Sequence, residues 1–250
     1  MSITVLNQAQ DWFHNMVSKY SLKDSITEHN LKLKYHHSLE TQKNASHLAT
    51  SLGLNESEII IAQIIGLLHD CGRFPQFYHY GTFRDNLSRD HAKWAVEIIE
   101  KESILNDLSP QEEEWTLDAI FYHNEYKLPS NLKEKNALFC KIIRDVDKLD
   151  IYRIMLENQY ILDHKPPGDP SPNIINSIFR KECVWYEHVI NETDFKLLQL
   201  SWVFDLNFKW SHHYLIESNL LESLIGTLPP IKDEERIKST ILEYVNKVKA

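Results

Sequence analysis

The pair His69-Asp70 closes the most apolar stretch of the chain, which runs from Ile59 to Leu68. Burying an imidazole and a carboxylate beside such a run is unfavourable unless they are hydrogen-bonded, ion-paired or bound to a metal. The pair therefore predicts a partner. The plain alternative is a helix-terminal His and Asp reaching solvent, and a dipeptide alone does not separate the two. Upstream, YHHSLETQKNASHLA carries three histidines, His36, His37 and His47, on one helical pattern. Its apolar stripe is Ala45, Leu48, Ala49 and Leu52; projected back at about 100° per residue, His37 falls within roughly 70° of the stripe centre. His36 falls nearly opposite and His47 on the solvent side. Downstream, IIRDVDKLDIY sets Asp145, Asp147 and Asp150 among apolar residues, which read alone is a charged helix face.

These residues need elements to hold them, and the periodicity predicts helices. Apolar residues from Val5 to Tyr20 recur every three to four positions, the period of a half-buried helix. A second helix is expected from about Glu28 to Leu52, stopped by Gly53. Asn55 and Glu58 form a capping-box pattern opening the Ile59–Leu68 run, which reads as a buried central helix, with a buried strand as the lesser alternative. The aromatic text from Cys71 to Arg89 has no clean period and reads as a long loop. Further helices are expected at about 90–101, 112–122 and 138–160. A Pro/Gly-rich loop, HKPPGDPSP, follows and is a candidate lid, then three or four more helices to the end.

Composition sets the frame. The 250 residues hold 27 Lys and Arg against 36 Asp and Glu, a net charge of −9 with histidine neutral. That balance disfavours a surface for nucleic-acid backbone or anionic membrane. Only 6 glycines and 9 prolines are present, too few for the turns of a sandwich, barrel or doubly wound sheet, so an all-α fold is expected. We read it as one helical domain over 1–250, its motif core at about 31–154 and C-terminal helices at about 173–250 packed on that core. Cys71, Cys140 and Cys183 form no CxxC pair and indicate neither a disulfide framework nor a thiolate zinc site. With no secretory leader pattern and no run of about eighteen apolar residues, a cytoplasmic location is expected. Histidine, at 13 copies, outnumbers Gly, Pro and Tyr.

The order His37, then His69-Asp70, then Asp147, in the texts YHHSLETQKNASHLA, GLLHDCGRFPQF and IIRDVDKLD, resembles the HD superfamily of metal-dependent phosphohydrolases. The resemblance covers roughly Leu31 to Ile154. It implies an all-helical domain in which His37, His69, Asp70 and Asp147 converge on a divalent metal, with His69 and Asp70 at the catalytic centre. By that match Asp147, in VDKL, is the ligand, with valine where the family often has alanine, and Asp145 and Asp150 are helix-surface residues or partners of the ligands. His91 and His123 fit the His-rich, binuclear members; the alternative is that they support the ligands or hydrogen-bond substrate phosphate. Imidazole and carboxylate without thiolate suit Mn, Fe, Co, Ni or Zn, with Mg suited less as imidazoles accumulate. Two such cations bring about +4 against about −2 from two carboxylates, a cationic pocket in an acidic chain.

The expected activity is hydrolysis of a small phosphate ester, nucleotides leading, by metal-activated hydroxide. Arg73 is the first candidate for the phosphate, then Arg84, with Lys148 a weaker third. Phe74, Phe77, Tyr78, Tyr80 and Phe83 either stack a base or pack the loop, with packing favoured. Long nucleic acid and membrane are not expected partners, and the oligomeric state is not legible. Two rivals stand beside this reading: a ligand-sensing module of the same fold without turnover, and di-iron oxygenase chemistry. No GxSxG, HExxH or P-loop is present, so other hydrolase classes lack their marks.

Overall fold

A computed structural model describes residues 2–20, 24–157 and 165–249, and among these every regular element is helical. The chain divides into two compact units, Met1–Asp150 and Ile151–Ala250. The first contains α1 (Ser2–Ser18), α2 (Ser25–Ser51), α3 (Glu56–Leu68), α4 (Arg73–Tyr80), α5 (His91–Lys101), α6 (Pro110–Tyr122) and most of α7 (Glu134–Leu156).

The apolar run is helix α3, and the strand alternative falls away. Asn55 and Glu58 close the capping box at its start, satisfying two N–H groups that a helix start leaves open. Ile61, Ala62, Ile64, Leu67 and Leu68 are fully buried, because α3 is covered by α1, α2 and α6. Gly66 permits the closest of these approaches. A Cβ there would stand 2.8 Å from the Gln42 Cα and 2.9 Å from the Thr41 carbonyl oxygen, so α2 and α3 meet backbone to backbone.

The expected long loop from Cys71 to Arg89 is corrected: residues 73–80 form α4, and a 3₁₀ turn spans Asp85–Leu87. Two helical turns are too short for a period to show among aromatics that pack on several sides. Phe74 and Phe77 are buried one turn apart, and Phe77 packs on Phe83 with ring centroids 4.5 Å apart. Pro75 lies in the first turn, where its missing N–H is no loss. Gly81, at φ 65°, ends the helix in the left-handed conformation.

The second unit holds α8 (Pro172–Phe179), α9 (Glu192–Ser201), α10 (Lys209–Glu217), α11 (Leu220–Ile225) and α12 (Glu234–Lys249), more helices than the three or four expected. Their cover is aliphatic, with Ile174, Ile178, Leu197, Leu215, Ile237 and Ile241 buried. Positions 158–160 of the helix expected at 138–160, and His164 of the candidate lid, lie outside the described residues. No described helix is long and apolar enough to cross a membrane.

Candidate metal centre

Four elements of the first unit aim imidazoles at one carboxylate. His37 leaves the buried face of α2, while His36 and His47 are exposed. His69 and Asp70 end α3, His91 opens α5, His123 ends α6, and Asp147 projects from α7. Asp70 is buried at the centre. Its Oδ2 lies 3.5 Å from His37 Nε2 and 3.7 Å from His69 Nε2; its Oδ1 lies 3.4 Å from His91 Nε2 and 3.8 Å from His123 Nε2. Asp147 Oδ1 joins the first pair, 3.1 Å from His37 Nε2 and 3.7 Å from His69 Nε2.

The opposite nitrogen of each ring decides what these Nε2 atoms offer. His37 Nδ1 faces Asp150 Oδ2 at 2.7 Å, and His91 Nδ1 faces Asp85 Oδ2 at 2.8 Å. His69 Nδ1 faces the Gly66 carbonyl at 2.9 Å, and His123 Nδ1 the Ile120 carbonyl at 2.7 Å. Carbonyls and ionised carboxylates only accept, so each Nδ1 carries the hydrogen, and a neutral ring then presents a lone pair at Nε2. Yet His37 and His69 Nε2 stand 3.3 Å apart, and His91 and His123 Nε2 3.0 Å apart. Facing lone pairs repel unless a cation or a proton lies between them. Such imidazole and carboxylate donors, with no thiolate among them, fit divalent metal. Groups able to hold an ion among the described residues are His37–His69–Asp70, His69–His123–Asp147, Asp70–His91–His123 and Asp85–Asp90–His91. A buried histidine alone is no ligand: both ring nitrogens of His212, in the second unit, face backbone carbonyls.

Electrostatics follow this geometry. Burial would raise Asp70, but Lys34, His69, His123 and Arg73 hold it well below the usual carboxylate range. Asp147 is held low against burial by His37 and His69. Burial and Lys34 push His37 down, but Asp147 and Asp150 outweigh them and raise it. Burial lowers His69, and burial with Arg73 lowers His91 to about 4.

The substrate candidates separate. Arg73 stands at the centre, Nε 3.4 Å from Asp70 Oδ1 and Nη1 3.2 Å from Asp85 Oδ1, and it also donates to Gln76 and the Phe83 carbonyl. Lys148 instead donates to the Arg144 carbonyl of its own helix at 3.2 Å. Arg84 precedes the 85–87 turn, and its carbonyl accepts from Ser88.

Three partners were not singled out from the sequence. Lys34 places Nζ 2.7 Å from Asp70 Oδ2; its signal was its place one turn before His37 on the same face. Asp85 accepts from His91, Arg73 and Gln76, and no periodicity marks a loop residue for such a task. Arg144 is buried, with its guanidinium on the Glu125 and Tyr126 carbonyls just past His123. Asp150, expected to be a helix-surface residue or a ligand's partner, is the partner of His37.

Compared with known proteins, residues 35–152 match the family model of the HD domain. No curated protein and no solved structure matches the chain.

Proposed function

Since the chain is an HD domain protein, a member of a superfamily of metal-dependent phosphohydrolases, we propose that it hydrolyses a small phosphate ester, nucleotides or their derivatives being the leading class. The observation that carries this reading is the convergence of four Nε2 atoms on the two oxygens of Asp70. His37, His69, Asp70 and Asp147 would hold one divalent cation, and Asp70, His91 and His123 a second, drawn from Mn, Fe, Co, Ni or Zn. When bound, such cations supply a water activated near neutral pH and positive charge for the phosphoryl oxygens.

The chain's own residues do the rest. His69 and Asp70 fix the reacting centre, His69 through its Gly66 carbonyl and Asp70 by facing both imidazole pairs. Arg73, already aimed at Asp70, orients the phosphoryl group with a guanidinium fork. The net charge of −9 supports a small substrate over long nucleic acid.

The test is phosphate release from a panel of nucleotides with Mn, Co or Ni, beside elemental analysis of the purified protein. Metal-dependent turnover that disappears in Asp70→Ala supports the reading. Tight binding without turnover would favour a sensor. Oxygen consumption with bound iron and no phosphatase activity would favour an oxygenase. Protein that holds no metal and gains none on addition would sink the proposal.

A further inference from the structure

Lys34 and His37 leave α2 one turn apart, on one face. The Lys34 ammonium is buried and lies 2.7 Å from Asp70 Oδ2, the oxygen that also faces His37 and His69. The Phe83 ring is beside it, with Nζ 5.7 Å from the centroid. Arg73 repeats this arrangement on the other oxygen: Nε is 3.4 Å from Asp70 Oδ1, and Cζ is 5.9 Å from the same ring centroid. One carboxylate therefore carries an ammonium and a guanidinium, one on each oxygen, and both cations border a single aromatic ring.

A buried ammonium is tolerated where an anion compensates it. Asp70 is such an anion for Lys34. In the reading proposed above, on which this inference rests, both oxygens of Asp70 also serve divalent cations. Lys34 and Arg73 then share Asp70 with up to two dications a few ångströms away, where Coulomb repulsion is strong because little water screens it. A second anion at the same place relieves all of these cations together.

We propose that Lys34 binds the substrate's phosphoryl group, as the ammonium half of a two-cation subsite completed by Arg73 and bordered by Phe83. The two cations do different work. Arg73 supplies a planar fork that fixes orientation, and Lys34 a point charge that adapts to it. Metal and phosphate are consequently coupled through Lys34. Metal draws on Asp70 and weakens its hold on the ammonium, and a bound anion in turn offsets the repulsion between ammonium and metal. By linkage each tightens the other by the same factor.

The experiment is calorimetric titration of the full chain with Mn²⁺ or Co²⁺, with and without inorganic phosphate, for the wild type, Lys34→Met and Lys34→Arg. In the wild type, phosphate should tighten metal binding about tenfold. Lys34→Met should bind metal alone more tightly than the wild type, weaken phosphate about tenfold, and bring the coupling close to one. Lys34→Arg should keep the coupling. Phosphate affinity and coupling unchanged in Lys34→Met would overturn the assignment and leave the metal reading intact. A wild type that takes up no metal would overturn that reading and this inference with it. Should Lys34→Met fail to fold, the ¹⁵Nζ resonance of Lys34 in Zn-loaded wild type, assigned through Lys34→Arg, gives the answer: it shifts on adding phosphate if Lys34 binds the anion, and an unmoved resonance overturns the proposal.

Discussion

The two imidazole pairs that flank Asp70 are held by different means. His37 stands in the interior of the 27-residue α2, and its partner Asp150 comes from α7 with a side chain only 1% exposed. His91 is the first residue of α5, and its partner Asp85 belongs to the 81–90 connection, with a side chain 33% exposed. Asp147 adds a second carboxylate against His37 and His69, and it also groups with His69 and His123. The His91 half has Arg73 beside it instead, and on its other side the end of α6 is tied by Arg144 to the carbonyls after His123. One half therefore joins the interiors of α2 and α7 to His69 at the end of α3 and is rich in carboxylates. The other is built from helix ends and a loop, with Arg73 beside it as Lys34 is beside the first.

The halves share Asp70, so its loss should remove the distinction along with the site. Asp70→Ala takes from Lys34 and Arg73 the carboxylate they share, and removing one partner of a buried ion pair costs about 3–5 kcal/mol. We expect a loss of that size in metal-free stability by urea unfolding, together with loss of metal from both halves by elemental analysis. Retention of one metal per chain would show that a half stands without Asp70.

Two of the metal-free imidazoles, His37 and His91, should also answer pH in opposite directions, with His69 lowered as His91 is. His37 is raised above its ordinary value of 6.5, so its contribution to stability is full below pH 6.5 and is lost as pH rises through the folded value. His91 is lowered to about 4, so its contribution is full above the ordinary 6.5 and is lost as pH falls toward 4, by roughly 3 kcal/mol in all. The low values of Asp70 and Asp147 add a loss at still lower pH. Imidazole NMR of the metal-free protein, with unfolding followed from pH 8 to 4, measures both. His37 and His91 titrating together would remove the electrostatic difference between these two rings.

The same contrast explains what could be read from sequence. His37 and the His69-Asp70 pair lie within or at the end of long periodic helices, so projection alone puts His37 inward and His36 and His47 outward. Asp147 sits among the buried Ile143, Val146 and Leu149, but periodicity could not choose it over Asp145 or Asp150; the resemblance did. Asp85 and α4 were hidden because an eight-residue helix and a loop leave no period. Gly72 was hidden for another reason. Its φ of −66° is ordinary, and what demands glycine is approach: a Cβ there would lie 2.2 Å from the His91 carbonyl oxygen. That contact joins residues nineteen positions apart in sequence, and no local pattern reports it.

The partners of the two outward nitrogens sharpen the comparison further. Replacing a carboxylate that orients a metal-binding imidazole typically lowers metal affinity about 10–100-fold. Asp150→Asn should act near the upper end, because Asp150 is enclosed and His37 also depends on it for its charge balance. Asp85→Asn should act near the lower end, since solvent reaches Asp85 and the Gln76 and Arg73 contacts retain the loop. Each change should lower one of two binding steps in a Co²⁺ titration. Equal losses in both steps from either variant would mean that the halves bind as one unit.

The smallest effect isolates position along a helix. Asp24 caps α2 through the Thr27 N–H, and Asp90 caps α5 through the Ala92 and Lys93 N–H groups. Removing either cap costs about 1 kcal/mol, so Asp24→Ala and Asp90→Ala should destabilise the protein alike. Their effect on metal should differ. His37 lies thirteen residues beyond its cap, inside a helix that continues to Ser51, and end fraying does not reach it. His91 is the residue directly after its cap, so a frayed first turn moves the ligand itself. Asp90→Ala should therefore weaken the second metal-binding step and Asp24→Ala neither step. If both variants leave metal affinity untouched at equal loss of stability, His91 is held by Asp85 and the Gly72 approach, and the start of α5 has no part in it.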